Sequence, residues 1–115
     1  MSKNALVILT LAVILITAYL TLSLNVDLSK APKIEIETAV NQARFLYQQE
    51  KEKGRDLTNG PCLSDALMPN WVVDIAHSPR LLVDEKQENQ CPSFVEGRSQ
   101  HFVELDLEGN LIRAK

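Results

Sequence analysis

Hydrophobic and polar positions divide this chain into one unbroken apolar run and a mixed remainder. Residues 5–24 are uncharged and dominated by Leu, Ile, Val and Ala. As a helix, twenty residues span about 30 Å, the thickness of a bilayer's hydrocarbon core. The run exceeds the roughly 7–15 apolar residues of a signal-peptide core. Thr10, Thr17 and Thr21 interrupt it, but each hydroxyl can return to a backbone carbonyl within a helix. We read residues 1–24 as a signal-anchor. The rival reading is a cleaved signal peptide, with Lys3 as a thin positive region and Thr21, Leu22 and Ser23 at a peptidase-compatible spacing.

Beyond the run the pattern changes character. Residues 25–33 are polar and reach Pro32, which reads as a juxtamembrane linker. Over residues 35–53, Ile36, Ala39, Val40, Ala43, Leu46 and Tyr47 recur at helical spacing, with Phe45 off the stripe. Glu35 and Glu37 in the first turn and Lys51 and Lys53 in the last complement the helix dipole, and Gly54 supplies the stop. Residues 55–61 form a turn-rich connection. Residues 63–68 read as one or two helical turns ended by Pro69. Residues 71–75 have the aromatic and β-branched content of a strand, ended by Ser78 and Pro79. Residues 84–93 are polar and read as a surface loop pinned only by Cys91.

The clearest β signal is at the C-terminus. Alternation over residues 101–106 places His101, Val103 and Leu105 on one face and Phe102, Glu104 and Asp106 on the other. Asp106, Leu107, Glu108 and Gly109 fit a hairpin loop with Gly in the left-handed position, and residues 111–114 are the return strand. The expected fold is α+β: an N-terminal transmembrane helix, then residues 34–115 as an amphipathic helix on a small antiparallel sheet.

Cysteine count and charge refine this picture. Cys62 and Cys91 are the only cysteines, and a bridge between them would close a loop of about 30 residues, worth roughly 3.5 kcal/mol in the chain-entropy model. Basic residues on the two sides of the run nearly tie, so the cysteine pair decides orientation: N-terminus inside, residues 25–115 outside. Setting Lys3 aside leaves eleven Lys and Arg against fifteen Asp and Glu, interspersed and net −4. That balance, with few aromatics, speaks against nucleic acid as a partner. The expected partners are the membrane, through residues 5–24, and another envelope protein.

Candidate chemistry is sparse. Asp74 with His77, and His101 with Glu104, could supply four ligands to a divalent metal. On a strand, however, residues three apart face opposite ways, so His101 and Glu104 reach one ion only through a bulge. Bridged, Cys62 offers no thiolate for nucleophilic catalysis. Neither Ser64 nor Ser78 lies in a nucleophile elbow. Trp71, beside Val72, Val73 and Ile75, reads as core; Arg80 and Arg98 are candidates for clamping an anion. No catalytic residue, cofactor or resident metal is expected.

The stretches around Cys62, residues 71–80, residues 88–91 and residues 101–106 resemble an uncharacterised family of small exported bacterial proteins, which implies no particular activity. The layout of membrane helix, second helix and C-terminal sheet also resembles type IV pilin-like proteins. Those carry a Gly before the processing site and a Glu five residues into the mature helix, and this run has neither. The expectation is a non-enzymatic, single-pass, outward-facing domain that binds or supports an envelope component. The alternative is a small extracytoplasmic enzyme or metal-binding domain using His77 and His101.

Overall fold

A computed structural model describes residues 2–23 and 30–115 of the chain. It divides into two compact units, Met1–Lys30 and Ala31–Lys115. In the first, helix α1 spans Lys3–Ser23. Its threonines close onto the preceding turn: Thr10 Oγ1 donates to Leu6 O at 2.9 Å, Thr17 to Val13 O at 2.8 Å, and Thr21 to Thr17 O at 2.8 Å. Each hydroxyl is thereby satisfied without water. Over Lys3–Leu22 the mean hydropathy is 2.6 and none of the helix is buried by the chain, so it is apolar and long enough to cross a membrane. Most of the expected linker lies outside the described residues.

The second unit opens with helix α2, Lys33–Glu52, two residues earlier than the periodicity predicts because Pro32 takes the N-cap position. Proline's fixed φ and missing N–H are tolerated there, where an intrahelical donor is not needed. Ala39, Val40, Ala43 and Tyr47 form its buried face, and Phe45, off the stripe, is 66% exposed. Gly54 ends it with φ of +78°.

Four strands follow: β1 Cys62–Met68, β2 Trp71–Ile75, β3 His101–Leu105 and β4 Leu111–Ala114, adjacent in that order. Two expectations are corrected here. Residues 63–68, expected to be helical, form strand β1, because the edge of β2 recruits them into antiparallel pairing. Pro69 and Asn70 make the turn, Asn70 adopting a φ of +70°, so Pro69 ends a strand rather than a helix. The sheet is also mixed: β2 and β3 run parallel, in register from Trp71 beside His101 to Ile75 beside Leu105. Parallel neighbours need a crossover, and residues 76–100 supply it.

That crossover corrects the surface-loop expectation for residues 84–93. It contains two short 3₁₀ turns, Leu82–Glu85 and Gln87–Asn89, and the one-turn helix α3, Pro92–Val95. Asp84, Asn89 and Ser93 are buried. Ser93 is tied to β1, its N–H and hydroxyl donating to Asp65 Oδ1 at 2.8 and 2.7 Å. These three polar residues stay inside because each finds a partner.

The core lies between α2 and one sheet face, where Trp71, Val73, Ile75, Val103 and Leu105 meet Ala39, Val40, Ala43 and Tyr47. Trp71 is fully buried, as its setting predicts, and its Nε1 donates to Glu35 Oε1 at 2.7 Å. The β3–β4 hairpin also forms as expected: Gly109 has φ of +85°, and Asp106 Oδ1 accepts from the N–H groups of Glu108 and Asn110. Tyr47 Oη donates to Leu107 O at 2.7 Å, fastening this loop to α2. Cys62 and Cys91 are bonded, S–S 2.04 Å, joining β1 to the crossover.

Candidate functional site

Side-chain alternation puts the polar chemistry on the sheet face opposite α2. One row crosses all four strands: Cys62 lies beside Asp74, Asp74 beside Glu104, and Glu104 beside Arg113. The crossover covers this row with Arg80, Gln90, Cys91 and Phe94, leaving a cavity of about 110 Å³. Phe94 and Phe102 meet edge to face at 5.2 Å, and the Arg113 guanidinium lies 5.1 Å from the centre of the Phe102 ring.

The two carboxyls of the row fare differently. Glu104 is buried but paired: Arg80 donates to Oε2 at 3.0 Å and Arg113 approaches Oε1 at 3.6 Å. Arg80 also pairs with Glu85. Asp74 Oδ1 is closed to solvent and has no hydrogen-bond partner among the described residues. Loss of hydration, with the neighbouring Glu104 charge adding and Arg80 opposing, pushes the Asp74 carboxyl up to about 8. Near neutral pH it is an acid that still holds its proton.

A second arrangement lies past the end of β2. His77 Nδ1 is 2.9 Å from Asp84 Oδ1, and the same carboxylate accepts from the N–H groups of His77 and Leu81. Asp84 is 1% exposed. Burial alone would raise its pKa, but the Leu81 and His77 donors outweigh it and hold the carboxyl below the ordinary value. Gly60 makes room: a Cβ there would lie 2.3 Å from Asp84 Oδ1 and 2.9 Å from Ile75 O. His77 lines a cleft of about 280 Å³ with Ser78, Asp106 and Glu108.

The four metal candidates are therefore not brought together. Asp74 and Glu104 are neighbours, but His101 points to the α2 side, 8% exposed and stacked on Trp71 at 4.9 Å. His77 is held by Asp84. His101 and Glu104, three apart on β3, point to opposite faces of the sheet as strand alternation requires. Among the described residues, the one group of potential ligand atoms within 4.8 Å of one another is Cys62, Asp65 and Cys91, whose sulfurs are bonded to each other. Of the remaining candidates, Arg98 pairs with Glu96 at the surface, and Ser64 Oγ accepts from Ala66 N. Asp84 and Gly60 were not singled out by the sequence, although an Asn-Gly-Pro turn at 59–61 does mark a place where φ must be positive.

Comparison with protein-family models, with curated proteins and with solved structures finds no match for this chain.

Proposed function

We propose that the chain is a single-pass membrane protein whose residues 34–115 face away from the cytoplasm and bind or support another envelope component without catalysis. One observation carries this reading: α1 offers apolar side chains all round and buries none within the chain, while residues 31–115 have a core of their own. A helix that is hydrophobic on every side needs a membrane or a protein around it. The disulfide supports an oxidising compartment for the domain. The test is alkaline carbonate washing of membranes, followed by protease treatment of spheroplasts. Retention in the pellet with digestion of the domain is the expected result. Release by the wash, or a mature N-terminus near Leu24, overturns the anchor.

A second reading, a small extracytoplasmic enzyme, draws on the pairing of His77 with the buried Asp84. Fixing Nδ1 against a carboxylate leaves Nε2 as the basic nitrogen beside the cleft. Buried His101 has no part in it. Hydrolysis of a model ester by the purified chain, abolished in His77→Ala with the fold intact, would replace the binding reading with this one.

A further inference from the structure

Where the crossover meets β1, three side chains with metal-ligating atoms converge. Cys62 Sγ, Cys91 Sγ and a carboxylate oxygen of Asp65 all lie within 4.8 Å of one another. The carboxylate is held in place: the N–H and hydroxyl of Ser93 donate to its Oδ1 at 2.8 and 2.7 Å. Hydrogen bonds of this kind orient ligating carboxylates at metal centres. Among the described residues, no Lys or Arg pairs with Asp65. Val73 O lies 3.5 Å from Cys91 Sγ and 3.8 Å from Cys62 Sγ, and Ser64 O lies 3.7 Å from Cys91 Sγ. The carbonyl oxygens and the carboxylate all present negative charge to the sulfurs. A bare thiolate is therefore disfavoured here, and a cation is what the cluster lacks.

We propose that opening the Cys62–Cys91 bridge creates a zinc site made of both thiolates and the Asp65 carboxylate, with water as the fourth ligand. Two sulfurs and one carboxylate oxygen suit zinc and do not suit calcium or magnesium, which take oxygen ligands. Cys91 is 4% exposed, whereas Cys62 and Asp65 are half-buried, which leaves an open side for entry and for the water. Tetrahedral zinc with Zn–S bonds of about 2.3 Å sets its sulfurs about 3.8 Å apart. With the Cα atoms 5.0 Å apart, rotation about the cysteine side-chain bonds reaches that separation.

A dithiol opens the bridge. Its first thiolate bonds to Cys62 Sγ, the more open sulfur, and the electron pair of the broken bond goes to Cys91 Sγ. Its second thiolate then closes on the first and releases Cys62. The reductant leaves as a disulfide, and the chain has gained two electrons and two protons as two thiols. Zinc displaces those two protons to solvent and forms two Zn–S bonds and one Zn–O bond. Bridge and metal are thus alternative staples between β1 and the crossover, and each excludes the other. In an oxidising compartment the covalent staple prevails. This inference goes beyond the anchored binding domain and does not depend on the anchor.

The test uses the full chain in detergent, reduced with a phosphine and titrated with Co²⁺ as a spectroscopic substitute for zinc. A sulfur-to-cobalt charge-transfer band in the near ultraviolet, with the visible bands of a tetrahedral site, should saturate at one ion per chain. Zn²⁺ should bleach both, and the oxidised chain should show neither. Asp65→Asn keeps an acceptor for Ser93 but puts an amide NH₂ where the ligand oxygen lies. It should weaken cobalt binding by about tenfold or more. Emission from buried Trp71 reports the fold throughout. Where reduction alone loosens the domain, zinc should restore the native emission. The proposal is overturned by a reduced chain without the charge-transfer band, by equal affinity in Asp65→Asn, or by saturation at one ion per two chains. Native emission that zinc fails to restore overturns it equally.

Discussion

At Asp74 the sign of the pH dependence follows from the direction in which the fold moves its carboxyl. The ordinary value is 3.8 and the folded one about 8, so between them the folded state holds a proton that the unfolded chain has released. Stability therefore falls as pH rises through that window. Thermal melts should show wild type losing stability from about pH 4 to 8, while Asp74→Asn melts higher than wild type at pH 8 and converges with it near pH 4. An unchanged slope in the variant would show that Asp74 does not carry the effect. Asp84 acts in the opposite sense. Its pKa is lowered, so its contribution is complete above the ordinary carboxylate value and is lost as pH falls through the folded one. His77→Ala removes one of its donors and should cost about 1–3 kcal/mol in chemical denaturation, more than an exposed imidazole would. Gly60→Ala combines a φ of +65° with a clash against backbone and carboxylate. It should destabilise by about 2 kcal/mol or more; a neutral effect would show that the Asp84 pocket yields.

Elements show where local preference yields to tertiary demand. Residues 63–68 contain Leu, Ala and Met, all good helix formers, yet β2 requires a strand on its open edge and residues 62–68 supply it. The bridge from Cys62 and the Ser93 contacts to Asp65 hold this strand against the crossover. Cys62→Ala and Cys91→Ala should therefore cost similar amounts, about 2–5 kcal/mol, read as matched losses in denaturant midpoint. A large difference between them would mean that one thiol packs for its own sake. At the hairpin, Gly109→Val meets both a positive φ and the Tyr47 ring, 2.5 Å from the added Cβ. Loss of the Tyr47–Leu107 hydrogen bond, seen as a shifted Tyr47 signal, should accompany its destabilisation.

For the whole molecule, the two units make separate demands on solvent. α1 presents Leu, Ile and Val outward along its length, whereas residues 31–115 enclose their apolar side chains around Trp71. A chain beginning at Ala31 should remain in the aqueous phase on detergent phase separation, and the full chain should enter the detergent phase. Aqueous partitioning of the full chain would remove the basis for an anchor.

Some of this protein was determined within short stretches of sequence. The apolar length of α1, the stripe of α2, the turn chemistry ending at Gly109 and the β-branched character of residues 71–75 act over a few neighbouring residues, so periodicity and turn residues suffice to read them. The cysteine pair was legible because only one intramolecular pairing exists. Tertiary structure alone decided which strand lies beside which, and with it the parallel β2–β3 pairing that turns residues 76–100 into a covering layer. From that one choice follow the burial of Asp84, the dispersal of the four metal candidates and the isolation of Asp74 beneath Arg80. The physical reason is that strand pairing and burial are settled between residues far apart in the chain, where propensity has no reach and only the balance of packing, desolvation and hydrogen bonding selects the outcome.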